Sequence, residues 1–205
     1  MENIKNIIFD FGGVIYDIRY ENVTESFVKL GAVKLSALYS KVFQTDFIDL
    51  YEEGKISSED FRKEIRNLAE IPLTDAQIDY AWNSILLGIP EERVKFLLEL
   101  KKKYRLFLFS NTNAITCDEF TKNLNEKFGF DFFGTIFEAA YFSHTLHIRK
   151  PKAEGFRQII REQKLEISET LFIDDSPQHV EGARKVGLNV YHLTDGQTIE
   201  SVKIF

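Results

Sequence analysis

A single cysteine, Cys117, is all the sequence holds, so no internal disulfide can form and a reducing compartment suits the chain. Nothing beside Cys117 resembles a metal or nucleophile pattern, and it reads as an inert thiol. No apolar run is long enough to cross a bilayer. The first residues lack the basic start and small-residue cleavage site of a leader, so their apolar character reads as a strand and the cytoplasm is the expected location. Positive charge is in deficit: 26 Lys and Arg face 32 Asp and Glu, a net charge of −6, which argues against a general nucleic-acid binder needing a basic face. The basic run Lys101-Lys102-Lys103-Tyr104-Arg105 suits the carbonyl end of a helix, where the dipole favours cations. Internal repeats and low-complexity tracts are also missing. The oligomeric state is not legible.

What is present is a rhythm. Four short runs rich in β-branched and aromatic residues, Ile7–Phe9, Leu106–Phe109, Leu171–Ile173 and Leu188–Tyr191, are apolar on both faces. That pattern predicts central strands of a parallel sheet covered by helices. Helix-length segments lie between them: Phe96, Leu97 and Leu100 after Pro90-Glu91-Glu92, Phe156, Ile159 and Ile160 after Pro151, and Val180 and Ala183 after Ser176-Pro177, with Gly187 as a stop. Strand alternating with helix predicts a doubly wound α/β sheet. The segment 16–88 breaks the rhythm. It offers no convincing strand and reads as amphipathic helices carrying Phe27, Phe43, Phe47, Tyr51, Phe61, Ile65 and Trp82, so it is expected to be a helical insert in a core made of residues 1–15 and 89–205.

In open α/β sheets ligands bind beyond the carboxyl ends of the strands, so the residue each run delivers there matters. The first delivers Asp10, the second Ser110-Asn111-Thr112-Asn113, and "TLFIDDSPQHV" delivers Asp174 and Asp175 together. Lys150 stands before Pro151 in "HIRKPKAEGF". Each alone reads as a helix cap or loop residue. Together, three carboxylates at one sheet edge call for a cation, and hard oxygen donors suit Mg²⁺. Ser110 and nearby backbone amides offer hydrogen bonds to phosphate oxygens, and Lys150 a compact positive charge. The combination points to phosphoryl transfer.

In "FDFGGV", "FLFSN", "RKP" and "FIDDS", taken in that order, the chain resembles the haloacid dehalogenase superfamily over nearly its whole length. The resemblance implies a Rossmann-like core with an inserted helical cap. "GKISSEDF", "LFSNTN" and "IDDSPQHVEGARKVG" are similar to its bacterial branch acting on sugar phosphates such as glucose 1-phosphate. It implies a phosphatase of a small phosphorylated metabolite, with Asp10 as the nucleophile forming an aspartyl phosphate. Mg²⁺ would be held by Asp10, Asp175 and the Gly12 carbonyl, with Asp174 acting through a water. Ser110, the Asn111 amide and Lys150 would hold the phosphate, and Lys150 would stabilise the charge in transfer. Most phosphatases of this superfamily carry a second aspartate as general acid and base where this chain has Gly12, though the sugar-phosphate branch also tends to glycine. Asp17, in "VIYDIRY", is a candidate replacement, beside its reading as a cap or surface ion pair. His144 and His147 read as loop residues, His179 as a helix-start residue at solvent or the site's rim, and Trp82 as lid core. Two rival functions stand beside the phosphatase: a non-catalytic phosphometabolite-binding protein, and a metal-independent dehalogenase in which Asp10 attacks carbon.

Overall fold

The structure, a computed structural model, describes residues 3–35, 46–194 and 196–202. Phe43, among the aromatics expected in the insert, lies outside them. Five parallel strands form one sheet in the order β5-β4-β1-β6-β7: β1 (Asn6–Phe9), β4 (Arg105–Ser110), β5 (Ala139–Phe142), β6 (Thr170–Asp174) and β7 (Asn189–His192). β1 is central, with Ile7 beside Leu106 and Leu171, so Asp10 emerges in the middle of the carboxyl edge.

Burial on both faces explains why the runs in β1, β4 and β6 are uninterruptedly apolar; β7, expected to be central, is a half-buried edge strand. Ile7, Phe9, Leu106, Leu108, Leu171 and Ile173 pack on one face against Leu97 and Leu100 of one helix (Glu91–Leu100) and Phe120 and Leu124 of another (Ala114–Phe128). Ile8, Phe107, Phe109 and Phe172 pack on the other face against Phe156 and Ile159 (helix Ala153–Gln163) and Ala183 (helix Pro177–Lys185). Pro151 precedes the first of these last two helices rather than opening it, since the helix begins at Ala153.

Two elements depart from expectation. β5 went unrecognised because its residues, Ala-Ala-Tyr-Phe, are only half-buried at a sheet edge and open on two alanines, which disfavour strands. The segment 16–88 does contain strands: β2 (Asp17–Ile18) and β3 (Leu86–Gly88) pair antiparallel where the insert leaves and rejoins the sheet. Elements of two or three residues are too short to show a period.

The rest of the described insert is helical: α1 (Glu21–Lys29), α2 (Asp46–Glu52), α3 (Ser58–Ala69) and α4 (Asp75–Asn83). Ser57 with Asp60 and Thr74 with Gln77 form capping boxes that start α3 and α4. These helices surround their own buried cluster, in which Phe61 stacks on Tyr51 with centroids 4.4 Å apart and meets Trp82 edge-on at 4.8 Å. Ile115 from the sheet side joins that cluster, while Tyr16, Ile18 and Leu86 pack with the sheet's cluster.

Candidate active site

β1 ends directly in Asp10, whose N–H donates to the Ile173 carbonyl at 2.9 Å. The chain then turns tightly: Ile15 and Tyr16 both donate to the Phe11 carbonyl, and Gly13 donates to Tyr16. Gly13 has φ of +80°, and a Cβ there would lie 2.3 Å from Asp175 Oδ2, so glycine is required for the turn and for the carboxylate beside it. Gly12 has no such backbone demand. A Cβ on it would lie 3.2 Å from Cδ1 of Ile18, which fills the space a larger residue would need.

Behind the strand ends lies Lys150, fully buried. Its Nζ is 2.6 Å from Asp10 Oδ1 and 2.7 Å from Asp174 Oδ2, between the rings of Phe109 and Phe172 at 5.7 and 5.5 Å. Burial opposes the charged form, but Asp10 and Asp174 outweigh it and hold the ammonium above its ordinary range. Burial pushes Asp10 up to about 7, with Lys150 pulling it down and Asp174 pushing it further up. Asp174 is itself buried, yet the Lys150 charge and the His179 hydrogen bond keep it below the usual carboxylate range. It also accepts from Ser176 N–H at 2.8 Å and from His179 Nδ1 at 3.0 Å, which fixes the Nδ1–H tautomer of His179.

Ser110 and the three residues after β4 divide the work. Asn111 grips the Lys150 backbone, accepting from its N–H at 2.8 Å and donating to its carbonyl at 3.0 Å. Ser143 accepts from Thr112 N–H and donates to the Thr112 carbonyl, both at 2.9 Å. Asn113 caps the helix from Ala114 through Thr116 N–H. Ser110 closes the strand and lines the cavity.

That cavity, of about 330 Å³, opens between the strand ends and the helical insert. Asp10, Gly12, Ser110, Asn111, Asp175 and His179 line its sheet side, and Tyr20, Glu52 and Trp82 its insert side. Trp82 thus serves both the insert's core and the cavity wall, and His179 lines the cavity with its ring hydrogen-bonded to Asp174. Arg149 and Glu52 were not singled out by sequence reasoning. The nearest signal for Arg149 was its place beside Lys150 in "RKP". Asp17 is not brought to this site. Arg93 takes its carboxylate at 2.7 Å, the side chain is 48% exposed, and it is absent from the cavity wall, so the ion-pair reading describes it. His144 lies in a short helix (Ser143–Leu146), and His147 Nδ1 donates to the Glu53 carbonyl at 3.0 Å, neither lining the cavity.

The donor set fits a hard divalent cation. Asp10, Asp174 and His179 bring donor atoms within 4.8 Å of one another. Asp174, however, is committed to Lys150, His179 and Ser176. Asp10, Gly12 and Asp175 line the cavity while Asp174 does not, and Asp175 makes no ion pair among the described residues. Two or three protein oxygens plus waters and a phosphate are what Mg²⁺ takes.

Residues 4–187 match the haloacid dehalogenase-like hydrolase family. A D-ribitol-5-phosphate phosphatase of Bacteroides thetaiotaomicron is 32% identical over 94% of this chain and 93% of its own. A sesquiterpene phosphatase of Aspergillus oryzae is 25% identical over 93% of this chain and 90% of its own. A haloacid dehalogenase family enzyme from B. thetaiotaomicron, crystallised with magnesium and inorganic phosphate, superposes with a TM-score of 0.86 at 34% identity, covering 95% of this chain and 96% of that one. The chain belongs to the haloacid dehalogenase-like hydrolase family. Its place there is among the phosphatases, since its relative of 32% identity over nearly the whole chain is one.

Proposed function

We propose that the protein is a magnesium-dependent phosphomonoesterase acting on a small phosphorylated sugar or sugar alcohol through an aspartyl-phosphate intermediate. The observation that carries this is the carboxylate of Asp10: Lys150 holds its Oδ1 from behind, while the residue itself faces a cavity shared with Ser110 and Asp175. Oδ2 is then the oxygen left to attack. It forms a bond to phosphorus as the ester oxygen departs and takes up a proton. Water next attacks the phosphorus of the aspartyl phosphate, releasing phosphate and restoring Asp10. Ser110 and the Asn111 N–H donate to the phosphoryl oxygens, and Lys150 offsets the charge gathered there. Asp10, Asp175 and the Gly12 carbonyl would hold the Mg²⁺, whose chemistry is to neutralise phosphoryl charge.

The sugar-phosphate preference is supported by the relative that acts on D-ribitol 5-phosphate and by a cavity of small-metabolite size with charged side chains on its wall. A panel of phosphorylated metabolites, including sugar 1-phosphates, sugar 6-phosphates and pentitol 5-phosphates, assayed with Mg²⁺ and with excess chelator, tests the proposal. Hydrolysis lost with the chelator is expected. Binding of phosphate without turnover would favour a binding protein, and 2-haloacid turnover that survives chelation a dehalogenase.

A further inference from the structure

We propose that Glu52 and Arg149 together read the hydroxyl groups of the substrate, so that this site selects polyhydroxylated phosphate esters over apolar ones; the inference rests on the phosphomonoesterase reading above. Both residues line the cavity that holds Asp10, and they reach it from two bodies of the fold. Glu52 ends α2 in the insert, and Arg149 immediately precedes Lys150.

Their mutual contact is incomplete. Arg149 Nη2 lies 2.9 Å from Glu52 Oε2, yet the two are not aligned as a hydrogen bond. Glu52 Oε2 and Arg149 Nε are buried polar atoms with no hydrogen-bond partner among the described residues. Buried polar groups are nearly always satisfied, and leaving one open costs stability. Open capacity on an acceptor and a donor side by side, in the wall of a substrate cavity, marks a place where a ligand completes the bonding. Burial, with Asp49 adding to it, raises the Glu52 carboxyl even though the charge and contact of Arg149 pull it down.

The pair is anchored rather than loose. Asp49 holds Arg149 Nη1, and Asn111 fixes the backbone of the next residue, Lys150. An ester with its phosphate at Asp10 and Ser110 extends its carbon chain from there toward the insert. A hydroxyl group both donates and accepts, so it can satisfy the Glu52 oxygen and the Arg149 nitrogen at once. Both atoms are covered by protein in this structure, so bonding to a hydroxyl requires the two side-chain ends to shift as the ester enters while their backbones stay fixed. An apolar chain would bury the same charges with nothing to bond. Sites built to bond a substrate hydroxyl reject analogues lacking it far more strongly than apolar pockets reject a missing methylene.

The test uses two esters of equal chain length and similar leaving group, D-ribitol 5-phosphate and n-pentyl phosphate, with the Mg²⁺-loaded full chain. The wild-type ratio of kcat/KM, polyol over alkyl, is expected to exceed about 100-fold. Glu52→Ala and the gentler Glu52→Gln should each lower that ratio by about tenfold or more, chiefly through KM for the polyol ester. An unchanged ratio in both variants overturns the proposal. Titration calorimetry on Asp10→Asn, with and without Glu52→Ala, gives the same ratio as dissociation constants without turnover. If the wild type hydrolyses neither ester but the binding ratio falls with Glu52→Ala, hydroxyl reading stands and the phosphomonoesterase reading fails. If both esters turn over and neither ratio moves, the reverse holds.

Discussion

The ammonium of Lys150 stands 2.6 Å from Oδ1 of Asp10 with no exposed surface of its own. A carboxylate placed this way is aimed by a strand and steadied by a charge that water cannot reach, as the proposed nucleophile needs. Asp10→Asn keeps the shape and the hydrogen bond but cannot form the acyl phosphate, so turnover should fall at least about 10⁴-fold with the fold intact. Residual phosphatase activity of the purified variant near the wild-type level would exclude the covalent role.

The same residue sets a pH dependence of stability. Its folded carboxyl titrates at about 7 against an ordinary value of 3.8, raised mainly by burial. The folded state therefore keeps a proton that the unfolded chain releases, and this contribution is fully present below about pH 4 and lost as pH rises through 7. With chelator present, the melting temperature of the wild type should drop over that window by several degrees more than that of Asp10→Asn. Mg²⁺ should reverse the drop in the wild type. Parallel melting curves for the two proteins across pH 4–8 would contradict this.

The neighbouring aspartates should separate. Asp175 is exposed at the cavity, so Asp175→Ala should raise the Mg²⁺ concentration for half-maximal rate by about tenfold or more with little change in melting temperature. Asp174 is fully buried against Lys150 and His179. Asp174→Asn breaks a buried pair and should cost about 3 kcal/mol of stability, read by urea denaturation. Equal effects of both substitutions on stability would refute the division of roles.

With no acid side chain at Gly12, rates should depend steeply on the leaving group, falling from aryl phosphates through sugar 1-phosphates to primary-alcohol phosphates. Gly12→Asp alone meets Ile18 and should lower stability by about 1 kcal/mol or more. Adding Ile18→Ala should recover it and flatten the leaving-group slope. A wild-type series that is already flat would mean another group protonates the leaving oxygen.

Asp17→Asn supplies the counterpart. Because Asp17 is half exposed and paired with Arg93, its loss should cost no more than about 1 kcal/mol and should not change the leaving-group slope. A loss of rate confined to alkyl phosphates would return Asp17 to the chemistry.

Three of the five sheet strands, β1, β4 and β6, were readable because burial on both faces leaves an unbroken apolar run, whereas β7, also expected to be central, is a half-buried edge strand. β5 was not, since half-buried alanines carry neither run nor alternation. Asp10, Ser110, Lys150, Asp174 and Asp175 could be picked out as residues delivered at strand ends or set just before a helix. What the sequence hid was commitment: that Asn111 spends its side chain on the Lys150 backbone and Asp174 its carboxylate on Lys150 and His179. Glu52 and Arg149 lie far apart in the chain, and only tertiary packing makes them neighbours.

The ribbon of β2 and β3 has the chain leave the sheet and return to it side by side, Asp17 facing Gly88. A segment tethered at one doubled stalk behaves as an exchangeable cassette. On the proposed function, replacing what lies beyond the stalk would alter which molecules are admitted, while the strand that ends in Asp10 and the buried Lys150 would keep their chain path. Diversification of such an enzyme can therefore proceed by swapping one insert, with the chemistry inherited unchanged.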